Sequence, residues 1–144
     1  MSEVVILDVE PKQRYTFTKD ERLKSRKTIE LLFAQGKSFS IFPFRVVWKY
    51  EEATGPVLQA GFTAGSKHFK KAVDRNRIRR LMREAYRLQK KELGDQLKKQ
   101  QKHLSVFFIY SGNELPEYQL VFDKMGSALM RLIKIVHENS LADT

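Results

Sequence analysis

At 144 residues, 42% of them hydrophobic and ten of them Phe, the chain is long enough for one domain with a real core and too apolar for disorder. It has no cysteine, which removes disulfide frameworks and thiolate metal sites, and its 27 Lys and Arg against 17 Asp and Glu leave a net charge of +10. Residues 67–102 hold 14 basic and 4 acidic side chains and the rest of the chain 13 of each, so one quarter of the sequence carries the whole imbalance, a concentrated field that favours a polyanion.

In chain order, residues 1–13 read as an N-terminal extension. Its opening, MSEVVILDVEP, is acidic where a signal peptide is basic, and no apolar run approaches the roughly 18 residues of a membrane span. A cytoplasmic protein without a membrane partner is expected. Ser25 is placed to cap a short helix over 25–35, in which Ile29, Leu32 and Phe33 fall on one face before Gly36. After Pro43 the run FRVVWKY alternates, with Phe44, Val46, Trp48 and Tyr50 on one face and Arg45, Val47 and Lys49 on the other. One of these faces must pack on helices, and the alternation leaves open which. EEATGP is a turn, and VLQAGFTAG (57–65) is a second strand, expected to pair with the first as a hairpin.

The segment 72–87, AVDRNRIRRLMREAYR, contains six Arg and no Lys. On a helical wheel of about 100° per residue, Ile78, Leu81, Met82, Ala85 and Leu88 gather in one arc of roughly 120°. Arg75, Asn76, Arg79, Arg80, Arg83, Arg87, Lys90 and Lys91 fill the opposite side, with Arg77 and Tyr86 at the borders. Like charges at i,i+4 destabilise one another, and Glu84 is the one acidic residue between Asp74 and Glu92, so the ladder of Arg79, Arg83 and Arg87 suits phosphates. Arginine fits that partner because its planar fork grips phosphate bidentately and stacks on bases. Ser66, Lys67, His68, Lys70 and Lys71 precede the helix, where backbone amides add to an anion site, and Asp74 is placed as its N-cap. Asn76 fits either a second cap or a nucleic-acid contact, and His68 either a solvated surface position or such a contact. LSVFFIY (104–110) then reads as a buried strand. Pro116 opens a last helix with the stripe Val121, Phe122, Met125, Leu129, Leu132, Ile133 and Val136.

Catalytic chemistry is not visible. His68, His103 and His137 stand beside no recognisable carboxylate pair, and the sequence has neither a nucleotide-binding glycine loop nor the acidic cluster of a two-metal nuclease. No active site or metal site is expected in the protein itself.

The block Arg75-Asn76-Arg77, Ile78-Arg79-Arg80-Leu81, Arg83-Glu84-Ala85 resembles the RNR signature of the bacterial ribonuclease P protein subunit. Arg22-Leu23-Lys24 is similar to the family's opening RLK, and Ile29 to Gly36 to its first helix. Gly61-Phe62-Thr63, Ser66-Lys67 and Lys71-Ala72-Val73 are similar to its approach to the signature. The resemblance spans about residues 14–137. Gly65, His68, Lys70 and Tyr110-Ser111 depart from the usual pattern. It implies an α/β fold, a two-layer α+β sandwich in one domain (14–144), of order αβββαβα with a left-handed crossover. It also implies a subunit of an endoribonuclease that removes the 5′ leader of precursor tRNA, in which the catalytic RNA holds Mg²⁺ and performs the hydrolysis. RNA binding would fall to Arg22, Lys24, Lys67, His68, Lys71, Arg75, Asn76, Arg77, Arg79, Arg80, Arg83 and Arg87. Phe33, Phe44, Arg45 and Lys49 would line a leader cleft, with core positions the alternative for the two Phe. The protein is expected to be a monomer. The rival readings are a plain RNA-binding or ribosome-associated protein and a DNA-binding protein using the basic helix in the major groove.

Overall fold

A computed structural model describes residues 16–53 and 55–142; the extension at 1–13 lies outside them. The elements run α1 (Arg26–Gln35), β1 (Lys37–Ile41), β2 (Phe44–Glu52), β3 (Leu58–Ala64), α2 (Ala72–Gln89), α3 (Lys91–Gln100), β4 (Lys102–Tyr110) and α4 (Tyr118–Ala142). Ser25 caps α1 as expected, its hydroxyl accepting the Thr28 N–H at 3.3 Å.

The four strands form one mixed sheet in the order β1-β2-β4-β3. Strands β1 and β2 are antiparallel and joined at Phe42-Pro43; β2 and β4 are antiparallel; β3 and β4 are parallel. The expected pairing of β2 with β3 is therefore wrong, because β4 lies between them. The reason is in its side chains. Leu104, Val106, Phe108 and Tyr110 face the main core, while Phe107 and Ile109 face the opposite way and pack against Leu23, Leu32 and Val47. A strand apolar on both faces belongs in the middle of the sheet. The shorter β3, with half-buried Gln59 and Thr63, takes the edge. That edge is covered by the incoming chain, where Arg22 bridges Ala60 and the Leu23 N–H donates to the Ala60 carbonyl at 2.9 Å.

Helices α2, α3 and α4 cover one face of the sheet, and α1 alone covers part of the other. Helix α2 buries Ile78, Met82, Ala85 and Tyr86, with Leu81 and Leu88 half-buried at the margin. The buried arc is thus rotated toward Tyr86, whose ring meets Phe17, Phe62 and Phe108 with centroids 5.4–5.7 Å away. The crossover from β3 to β4 holds two helices where one was expected. The helix breaks at Lys90, which removes Lys90 and Lys91 from the arginine wheel and lets Leu93 and Leu97 reach full burial against α4 and β4. In α4, Val121, Met125, Ala128, Leu129, Leu132 and Val136 form the buried stripe, and Phe122 and Ile133 flank it. Its first residue is Tyr118, so Pro116 sits just ahead of the helix rather than in its first turn.

Two positions read directly as stability tests. Leu132 is fully buried, and Leu132→Ala is expected to cost about 2–5 kcal/mol in denaturant unfolding. Gln101 ends α3 in the left-handed region (φ 57°, ψ 41°), so Gln101→Gly should raise the unfolding midpoint, by about 1 kcal/mol of stability.

Candidate nucleic-acid interface

The rotation of α2 divides its arginines into groups with different surroundings. Asn76, Arg77, Arg80 and Glu84 form the exposed pole of the helix, while Arg75, Arg79, Arg83 and Arg87 lie half-buried along its flanks. Arg79 and Arg83 line a groove of about 220 Å³ together with Arg22 and Lys24 from the chain that leads into α1, Ala60, Gly61 and Phe62 of β3, and Phe17. Four cations share this groove, and no carboxylate lines it among the described residues. Partial burial and the charges of Arg22, Arg79 and Arg80 push the Arg83 guanidinium below its ordinary pKa. Burial is the larger cause, and the neighbouring guanidinium charges act in the same direction. The Arg79 guanidinium also donates to the Asn76 side-chain oxygen, so Asn76, one turn inside the helix, is not a cap.

Other cations of this region have partners within the protein. The N-cap of α2 is Lys71, without a side-chain cap bond, and Asp74 sits inside the first turn, where its charge favours the positive end of the helix dipole. Arg75 donates from one nitrogen to the carbonyls of Phe69 and Lys70, at 2.7 and 2.8 Å. Arg87 pairs with Glu84, which raises the Arg87 pKa and lowers that of Glu84. The ladder of Arg79, Arg83 and Arg87 is therefore not uniformly open. Lys67, His68, Lys70 and Lys71 are exposed on the loop before α2.

A larger cavity, about 380 Å³, lies at the α2–α3 junction and is lined by Arg87, Lys90, Lys91 and Lys98. Its charge is largely internal, since Arg87 pairs with Glu84, Lys90 with Glu21 and Lys91 with Asp95. The smaller groove offers the stronger anion site.

The second surface is the sheet face under α1. Phe33 remains 46% exposed and meets the Phe107 ring edge-to-face at 5.3 Å. Arg45 is exposed on this face and Lys49 is half-buried, donating to the Gln35 side chain at 2.9 Å and pairing with Glu51 at 3.5 Å. Phe44 is not here: it is fully buried on the other face beside Tyr110, because the Phe44, Val46, Trp48 side of β2 is the one that packs on the helices. Its assignment to a cleft is corrected to the core. Phe107 was missed. The signal for it was available, because β4 is apolar at both parities while the paired face of β2 carries Arg45 and Lys49. Gly61 makes room for it, since a methyl group there would overlap the Phe107 ring. Gly36 similarly lets the end of α1 approach the Trp48 backbone. Gly61 and Leu23 are shared between this face and the arginine groove, which makes the two surfaces neighbours.

Comparison with known proteins points one way. A family model described as Ribonuclease P matches residues 17–133. Ribonuclease P protein components from two strains of Porphyromonas gingivalis are each 35% identical, over 128 and 131 residues, with 88% of this chain and 93% of each relative covered. The solved RNase P protein from Thermotoga maritima aligns with a TM-score of 0.59 at 25% identity, over 77% of this chain and 96% of that one. The Staphylococcus aureus RNase P protein, at 19% identity and a TM-score of 0.52 over 81% and 95% of the two chains, shares the fold.

Two outcomes test this geometry without any ligand. Arg83→Met should stabilise the fold by a few tenths of a kcal/mol at low salt, with the gain fading near 1 M salt, where the screening length is about 3 Å. Phe44→Ala should cost about 3–5 kcal/mol in unfolding experiments, whereas Phe33→Ala should cost under about 1 kcal/mol.

Proposed function

Because the chain belongs to the ribonuclease P protein family, we propose that it is the protein subunit of a ribonuclease P, binding the catalytic RNA and the 5′ leader of precursor tRNA. The observation that carries this reading is the groove of Arg22, Lys24, Arg79 and Arg83, in which four cations surround a space with no lining carboxylate among the described residues. RNA phosphates supply the missing counter-charge, and each neutralised phosphate releases condensed counterions. Arg77, Arg80, Lys67, His68 and Lys71 extend the contact along the exposed side of α2 and its loop.

The leader lies in the cleft under α1. There Phe33 and Phe107 offer aromatic faces and edges to unstacked bases, and Arg45 and Lys49 supply charge for the backbone. The protein acts by positioning and neutralisation, and the catalytic RNA performs the hydrolysis. Mg²⁺ belongs to the RNA. Among the described residues no three His, Cys, Asp or Glu side chains gather into a metal-binding group. By lowering the electrostatic cost of bringing substrate and RNA together, the subunit lets the RNA work at lower Mg²⁺. It does so as a cytoplasmic monomer. No helix is long and apolar enough to cross a membrane among the described residues.

Reconstitution with the host's ribonuclease P RNA and a precursor tRNA is the test. Leader removal should rise most at low Mg²⁺, with the advantage shrinking as Mg²⁺ increases, and the RNA-free protein should cleave nothing. The double variant Arg79→Ala, Arg83→Ala should reduce the slope of log affinity against log salt by about 1.5, for two lost phosphate contacts. Cleavage by the protein alone, or binding to duplex DNA as tight as to the catalytic RNA, would overturn the assignment.

A further inference from the structure

The loop from Gly65 to Lys71 joins β3 to α2 and presents Lys67, His68, Lys70 and Lys71 to solvent. The three lysines on an irregular segment would ordinarily repel one another and sample many arrangements. Two anchors oppose this. The Phe69 ring is buried in the main core against Tyr110, with ring centroids 5.9 Å apart. The second anchor is Arg75, whose single terminal nitrogen donates to the Phe69 and Lys70 carbonyls, at 2.7 and 2.8 Å. Those carbonyls precede the first turn of α2, and Arg75 itself sits in that turn, its own N–H bonded to the Lys71 carbonyl at 3.3 Å. The guanidinium thus folds back along its own helix and closes the loop onto the helix start. Its neighbours in the sequence behave differently, since Arg77 and Arg80 point outward and Arg79 and Arg83 line the groove.

We infer that Arg75 is a positioning residue, a clamp that holds the cationic loop 65–71 in the shape in which its lysines meet RNA, and is not itself a principal phosphate ligand. This rests on the RNA-binding reading above and deepens it. A direct phosphate ligand contributes independently of the loop, whereas a clamp contributes only through the side chains it places.

A double-mutant cycle separates the two. RNA affinity is measured with the full chain and the catalytic RNA for Arg75→Ala, for the loop variant Lys67→Ala, Lys70→Ala, Lys71→Ala, and for the two combined. Arg75→Ala alone should weaken binding about tenfold, but by less than about twofold once the loop lysines are gone. Arg80→Ala, an exposed cation on the same helix, should cost the same in both backgrounds. Arg75→Lys keeps the charge but loses the planar terminus. It should bind as poorly as Arg75→Ala and, like it, show faster amide exchange over residues 66–71. Equal cost of Arg75→Ala with and without the loop lysines would overturn the clamp, as would full rescue by Arg75→Lys with unprotected loop amides. A loop variant that binds RNA normally would also overturn it. In that case, loss of binding in Arg79→Ala, Arg83→Ala in the same assay would leave the broader RNA-binding reading standing.

Discussion

Strand β4 is apolar on both faces, and the rest of the molecule is arranged to bury one face fully and the other in part. One side, carrying Leu104, Val106, Phe108 and Tyr110, takes the three helices α2, α3 and α4 and becomes the main core. The other offers only Phe107 and Ile109, and one short helix, α1, is enough to shelter them in part. This asymmetry leaves that face half-open. A second large helix on that face would have buried Arg45 and Lys49 at a prohibitive desolvation cost. Because the helix there is short, an aromatic pair sits beside cations on a half-open surface, a combination suited to an unstacked strand of nucleic acid.

The arginines of α2 show how one helix can be both structural and interactive. Ion pairing and carbonyl contacts occupy Arg87 and Arg75, which removes part of the self-repulsion that six guanidinium groups on one helix would otherwise carry. The repulsion that remains is concentrated at Arg79 and Arg83, where Arg22 and Lys24 from the chain that leads into α1 add to it. The fold tolerates this because the helix is held from beneath. Tyr86 lies in an aromatic cluster with Phe17, Phe62 and Phe108, and Gln89 donates from its side chain to the carbonyls of Ala85 and Phe122 at 3.1 and 3.0 Å, tying the end of α2 to α4. Hydrophobic burial on the inner side fixes a charge pattern on the outer side that would not assemble by itself.

The strap of residues 17–24 links these two features. It closes the edge of β3 through Ala60, places Phe17 in the aromatic cluster, and brings Arg22 and Lys24 to the arginine groove. Protection of a strand edge and completion of a charged surface are the same structural event here. Leu23, packed with Leu32 and Val47, then passes the chain into α1.

Much of this was legible in the chain itself. The spacing of Ile78, Met82 and Ala85 determined which side of α2 is buried, the alternation in 44–50 determined a strand, and Ser25 and Gly36 determined the limits of α1, because each signal arises from contacts within a few residues. Local pattern could not decide that β4 enters between β2 and β3, that the Phe44 side of β2 is the core side, or that the helix breaks at Lys90. Nor could it tell Arg75, turned back onto carbonyls, from Arg79 and Arg83 in the groove, since all three carry the same charge at neighbouring positions on one wheel. Those outcomes depend on which distant surfaces compete to be covered. Strand order and side-chain direction minimise exposed apolar area and unpaired charge over the whole molecule, and no short window of sequence contains that sum.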